Sequence, residues 1–211
     1  IFMIKKAFLV INFLLLCLLS SHTQASTSIL LLGDSLSASY GMQQNEGWVH
    51  LLNQTFEAEN KGYNIVNASI SGETTGGGLS RFPGILSKEK FDYLIIELGG
   101  NDGLRGFPPA TIKHNLLQII DMAKQENITV YLMEIQIPPN YGPRYSKMFT
   151  DVFATVAKES KITLLPFFMT EVAIKPELMQ NDGIHPNKKA QAIIADNMKQ
   201  VIETNIPNTA S

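Results

Sequence analysis

Ser35 is the first residue whose setting suggests chemistry. Ile29 to Leu36 reads I-L-L-L-G-D-S-L. Four apolar residues suited to a strand buried on both faces run into Gly-Asp-Ser, and a tight turn there leaves the serine at the strand's carboxyl end. Open α/β sheets do their chemistry at that end. A serine hydroxyl attacks a carbonyl only if a base takes its proton, a third group orients the base, and donors await the oxyanion. Read locally, Gly33-Asp34-Ser35 serves equally as a plain turn whose Asp or Ser caps a following helix. Asp34, as the neighbour of Ser35 on a tight turn, is read as turn and cap chemistry rather than as a triad acid.

The base is sought among histidines 22, 50, 114 and 185. His50 and His114 fall inside amphipathic helical patterns and read as surface residues, and His22 lies in a segment expected to be removed. His185 remains, three residues after Asp182 and just before Pro186. A short turn at that spacing sets the carboxylate against one ring nitrogen and frees the other, the orienter and base of a serine triad. A capping turn before the last helix, or a metal pair, fits the same residues. Metal is disfavoured, since a zinc site asks for about four ligands and no second well-placed histidine is at hand. For the oxyanion, Gly72 offers an N–H with no side chain in the way, and Asn101 offers an amide donor without charge. Ordinary turn chemistry explains both residues locally as well. Gly76 to Gly78 are not followed by Gly-Lys-Ser/Thr, so they make a poor phosphate cradle.

The elements that must position these residues alternate along the chain. After the first strand, Trp48, Leu51, Leu52 and Phe56 lie on one face of a helix. Strands are expected at Tyr63 to Ala68, Tyr93 to Leu98, Thr129 to Ile135 and Ile162 to Pro166. Helices are expected at Glu73 to Lys90, with a loose first turn at the glycines, and at Pro109 to Gln125, Ser146 to Glu159 and Lys188 to Ile202. Three prolines stiffen the loop from Ile137 to Pro143. Five strands alternating with helices predict a parallel sheet covered on both faces, a three-layer α/β/α sandwich. Every candidate residue then follows a strand or precedes the last helix, so the sheet gathers them along one edge.

The 211-residue chain is 45% hydrophobic, enough for one domain with a full core. Its formal charge of −2 shows no basic block, which argues against a nucleic-acid partner. Lys5 and Lys6 precede an apolar run from Ala7 to Leu19 and a polar stretch ending Thr23-Gln24-Ala25. That is the pattern of a secretory signal peptide, residues 1–25, cleaved after Ala25. An uncleaved anchor is the alternative, but Asn12 interrupts a run shorter than the ~20 residues a span needs. Cleavage lowers Lys+Arg from 17 to 15 against 19 Asp+Glu, a net of −4, and removes Cys17, the single cysteine. The expected mature chain is one domain over 26–206, with a disordered tail at 207–211, periplasmic or released from the cell. It lacks disulfides and is not stably inserted in a membrane.

Four blocks together carry a resemblance: Gly-Asp-Ser35-Leu-Ser, Asn67-Ala-Ser-Ile-Ser-Gly72, Gly99-Gly-Asn101-Asp102 and Asp182-Gly-Ile-His185. In type, order and spacing they resemble the SGNH or GDSL hydrolases, over nearly all of the expected mature chain. Glu97 to Gly106, Pro139 to Gly142, Leu165 to Met169 and Asp182 to Asn187 look like the secreted thioesterases, lysophospholipases and arylesterases of that family. The resemblance implies a flavodoxin-like sheet of five parallel strands. It makes Ser35 the nucleophile, His185 the base and Asp182 its orienter, and the oxyanion donors Ser35 N–H, Gly72 N–H and the Asn101 side chain.

The expected reaction is two-step acyl transfer to water from a small-molecule ester or thioester, without metal or cofactor, by a monomer. Leu104, Phe107, Ile137, Pro138 and Tyr141 lie on loops at the same sheet edge and are expected to flank the acyl chain; sealing the core is their other reading. A carbohydrate acetylesterase of the same fold and a non-catalytic binding module are the alternative functions.

Overall fold

The computed structural model describes residues 26–209. The expected signal peptide therefore lies outside the described residues. The chain order is β1 (Thr27–Gly33), α1 (Trp48–Ala58), β2 (Tyr63–Asn67), α2 (Thr75–Leu86), β3 (Tyr93–Glu97), α3 (Gly100–Leu104), α4 (Pro109–Gln125), β4 (Thr129–Met133), α5 (Pro143–Ser160), β5 (Thr163–Leu165), α6 (Thr170–Ala173) and α7 (Lys188–Asn205). The five strands form one parallel sheet in the order β2-β1-β3-β4-β5, the flavodoxin-like arrangement expected from sequence. One face is covered by α1 packed on α7, the other by the row α2, α4, α5.

Burial explains why the apolar runs are strands. Ile29 to Leu32 are fully inaccessible, and every residue of β3 is buried. A strand covered by helices on both faces has no solvent side to alternate toward. Between β1 and β3 the chain reverses its direction of progress through the sheet, and such switch points leave a crevice beyond the strands' carboxyl ends. Ser35 leaves β1 into that crevice, and Asn101 leaves β3 into it.

Three local readings change. The helix expected over 73–90 spans Thr75–Leu86, and Gly76 to Gly78 form a proper first turn, closed by the Thr74 hydroxyl accepting from the Gly77 N–H at 3.2 Å. Glycine is needed because a Cβ at Gly78 would stand 2.4 Å from Leu98 Cδ1, so α2 packs closely against the end of β3. The stretch after β3 forms a short helix, α3, where a turn was expected. In the tail expected to be disordered, Asn208 and Thr209 hydrogen bond to the Thr27 hydroxyl at 3.0 and 3.1 Å and so border β1.

Within α2, Gly84 has nothing within 4 Å of the place a Cβ would take. Gly84→Ala is expected to stabilise the protein by about 0.5–1 kcal/mol through helix propensity. Gly78→Ala is expected to destabilise it by about 1–3 kcal/mol through overpacking against Leu98. Urea denaturation midpoints of the two variants check both signs.

Candidate active site

The turn after β1 is built by Asp34. Its Oδ1 accepts the Leu36 N–H at 3.1 Å, and its carbonyl accepts the N–H groups of Ser37 and Ala38 at 3.3 and 3.0 Å. This is the turn chemistry the sequence suggests. It holds Ser35 at the tip, with the hydroxyl facing the loop before α7.

In that loop Asp182 does two things. Its Oδ1 accepts the N–H groups of Ile184 and His185 at 2.9 and 3.0 Å, and its Oδ2 meets His185 Nδ1 at 2.7 Å. Burial alone would raise the Asp182 pKa, but the His185 backbone, the His185 ring and the Ile184 N–H outweigh it and hold the carboxyl at about 2. An ionised carboxylate only accepts, so Nδ1 carries the ring proton and Nε2 is left as the acceptor. His185 Nε2 lies 2.9 Å from Ser35 Oγ. The three groups form one hydrogen-bonded line in which a proton can leave the hydroxyl for the imidazole.

Asn101 is aimed by a contact that its sequence neighbours do not reveal. Its Nδ2 donates to Asp34 Oδ2 at 3.1 Å, which leaves the second N–H of the amide free. Asp102, beside it, accepts from the Thr75 N–H at 2.8 Å and the Thr75 hydroxyl at 2.6 Å, pinning the start of α2 to α3. Gly72 lies on the loop leaving β2, and its carbonyl accepts from Arg105 Nη2 at 3.1 Å.

Ser35 and Asn101 share a cavity of about 330 Å³ with Leu104, Ile137 and Pro138. Gly72, Phe107 and Tyr141 are not among the residues lining it. Phe107 is exposed, with its carbonyl taken by the Tyr145 hydroxyl, and the Tyr141 hydroxyl is spent on the Leu104 carbonyl. The hydroxyls of Tyr141 and Tyr145 thus tie the loop at Leu104 and Phe107 to the segment 139–145. Further parts of the wall come from Phe167, Met169, Ala173, Ile174, Met179 and Ile184, to which the sequence reading gave no substrate role. Phe167, Met169 and Ile184 fall in stretches that carry the family resemblance, while Ala173, Ile174 and Met179 are marked only as apolar residues between β5 and the histidine loop.

His50 and His114 are exposed, as their helical positions suggest. Two clefts of about 390 and 450 Å³ run beside β2 and α1, and Ser35 lines neither. Both include Asn53, whose amide is spent on the N–H and C=O of Ile65. Among the described residues, no three His, Cys, Asp or Glu side chains are grouped to hold a metal ion.

The family model described as GDSL-like Lipase/Acylhydrolase family matches residues 31–193. The chain is 46% identical over 182 residues to an arylesterase of Vibrio mimicus, covering 86% of this chain and 91% of that one. It is likewise 46% identical over 191 residues to the thioesterase 1/protease 1/lysophospholipase L1 of Escherichia coli, covering 90% of each. Among solved structures it resembles the psychrotrophic esterase EstA from Pseudoalteromonas sp., inhibited by monoethylphosphonate. There the TM-score is 0.83 at 50% identity, covering 85% of this chain and 98% of that one.

Beneath the turn lies Glu97, fully inaccessible. Its Oε2 accepts the Asp34 N–H at 3.2 Å and the Ser37 hydroxyl at 2.8 Å. Burial first, and the nearby Asp34 charge second, push its pKa well above 4.5, against the pull of those two donors. Burial likewise lifts Asp34 to about 6, opposed by the donors Leu36 and Asn101. A carboxyl raised in the folded state stabilises the fold fully below its unfolded pKa, and the benefit is lost as pH rises through the folded value. Glu97→Gln keeps an acceptor and never ionises. Its stability relative to the unsubstituted protein is therefore expected to grow as pH rises from about 4.5 toward 9. Glu97→Ala strands two donors and leaves a cavity, at a cost on the order of 3 kcal/mol. Denaturation curves across that pH range check both variants.

Proposed function

The chain belongs to the GDSL-like lipase/acylhydrolase family, and from that premise we propose that it hydrolyses carboxylic esters and thioesters of acyl chains by two-step acyl transfer through Ser35. One observation carries the assignment to these residues: Ser35 Oγ, the His185 ring and Asp182 stand in a hydrogen-bonded line, with contacts of 2.9 and 2.7 Å, at the mouth of a largely apolar cavity. Ser35 attacks the substrate carbonyl as His185 Nε2 takes its proton. The imidazolium, held by Asp182, then returns that proton to the leaving alcohol or thiol. Water then gives its proton to the same nitrogen and attacks the acyl carbonyl, and the imidazolium returns that proton to Ser35 Oγ as the C–O bond breaks and the acid leaves.

Negative charge grows on the carbonyl oxygen in both steps. The free N–H of Asn101, held in place by Asp34, and the backbone N–H groups of Ser35 and Gly72 are the proposed donors for it. The apolar wall between Ile137 and Ile174 favours acyl chains over acetylated sugars, which would leave their hydroxyl groups unpaired there.

Activity as a monomer is supported by a site composed within one copy of the chain. Among the described residues no helix is long and apolar enough to cross a membrane. Export behind a cleaved N-terminal signal remains part of the proposal, carried by Lys5, Lys6 and the apolar run after them.

A fluorophosphonate probe is expected to label the protein at Ser35, and Ser35→Ala to abolish both labelling and esterase turnover. Labelling at full rate after that substitution sinks the assignment. Asn101→Ala is expected to lower kcat by about 100- to 1,000-fold with substrate binding largely kept. For the acyl wall, kcat/KM over a series of p-nitrophenyl esters and acyl thioesters is the measurement. Ile137→Ala is expected to shift its maximum toward shorter chains, and an unchanged profile refutes the acyl assignment.

A further inference from the structure

The Ser35 hydroxyl is not the only part of its turn that reaches the histidine loop. The Tyr40 ring lies over the His185 imidazole, centroids 4.1 Å apart and planes tilted by 31°. Tyr40 is 46% exposed, so core packing does not account for it. Gln180 joins the same two segments from the other side. Its Nε2 donates to the Tyr40 carbonyl at 2.8 Å and to the Pro186 carbonyl at 3.1 Å, while its backbone N–H donates to the His185 carbonyl at 2.8 Å. Room for this amide is kept by Gly41, where φ is +73° and a Cβ would stand 2.6 Å from Gln180 Oε1.

These contacts fill a need that the hydrogen-bonded line leaves open. Asp182 and His185 belong to one short loop and move together, so their bond orients the ring but does not locate it relative to Ser35. The bond from His185 to Ser35 has to break and form in every turnover, and it cannot define the separation it depends on. The far end of the loop is anchored through α7, whose Gln191 side chain accepts from the Trp48 N–H at 3.0 Å. Its near end is tied to the nucleophile turn by Tyr40 and Gln180.

We propose that Tyr40 and Gln180 are positioning residues that act as one clamp, holding the His185 ring in line with Ser35 throughout the reaction. The Tyr40 face also suits the imidazolium that forms when Nε2 takes the serine proton, because a cation over an aromatic face is attracted to it. Misplacement of a reacting group by a fraction of an ångström slows chemistry without weakening substrate binding. The clamp therefore acts on kcat and leaves KM alone. The inference rests on the assignment of Ser35 and His185 made above.

The test compares Y40F, Y40L, Q180L and the Y40L/Q180L double variant with the unsubstituted protein. The readouts are kcat and KM on a soluble p-nitrophenyl ester and the rate of inactivation by a fluorophosphonate. Y40L and Q180L are each expected to lower kcat and the inactivation rate about tenfold, with KM unchanged within about twofold. Y40F, which keeps the ring, is expected to retain activity, and the double variant to lose little more than the worse single one. The proposal is overturned if Y40L matches the unsubstituted protein, if its defect lies in KM, if Y40F is as damaged as Y40L, or if the two losses multiply. Thermal melts accompany each variant, and Tyr40→Met replaces Y40L should the latter not fold. His185→Ala separates the two levels: activity surviving that change defeats the underlying assignment, while its loss beside an indifferent Y40L defeats the clamp alone.

Discussion

The arrangement depends on a buried carboxyl under the turn that carries Ser35. Gly33 and Glu97 are register partners at the ends of β1 and β3, and a Cβ at Gly33 would stand 2.5 Å from Glu97 Oε2. Only glycine lets the glutamate come close enough to take the Asp34 N–H and the Ser37 hydroxyl, and those two bonds tie the turn to the end of β3. Charge in so dry a place is costly unless it is compensated, so the neutral acid is the form that fits. From this seat Asp34 reaches across to Asn101. The turn after the first strand and the donor after the third are therefore positioned by one connected set of groups.

The proposed base arrives separately. Asp182 folds its own loop and orients the ring within it, which makes the carboxylate and the imidazole a prebuilt unit. Its low pKa keeps the ring tautomer correct over the pH range in which such an enzyme works. What remains is the distance between that unit and the hydroxyl, set by the packing of α7 on α1 at one end and by the contacts of Tyr40 and Gln180 at the other. A line of three groups is thus held from both sides by parts that take no direct part in bond making.

Membership of the lipase/acylhydrolase family agrees with this division of labour. The parallel sheet is a general scaffold, and function resides in the loops at its carboxyl edge. In this chain those loops combine a polar floor of Asp34, Ser35 and Asn101 with walls of Leu104, Ile137, Phe167, Met169 and Ile174. A polar floor fixes a carbonyl, and apolar walls accept whatever chain is attached to it.

The amino-acid sequence by itself determined the alternation of strands and helices, and hence the parallel sheet, because buried strands and amphipathic helices announce themselves by local apolar patterns. It also determined which serine, histidine, aspartate and asparagine stand out, since each follows a strand or precedes the last helix and four short blocks recur in family order. Side-chain direction was decided only by the tertiary structure. Phe107 and Tyr141 sit on the right loops, yet they do not line the cavity, because a loop position says nothing of orientation. The roles of Glu97, of Asp34 toward Asn101, and of Tyr40 and Gln180 around His185 were likewise invisible. Each is a contact between residues about 60 to 145 positions apart, and no local pattern encodes where distant loops meet once the core has closed.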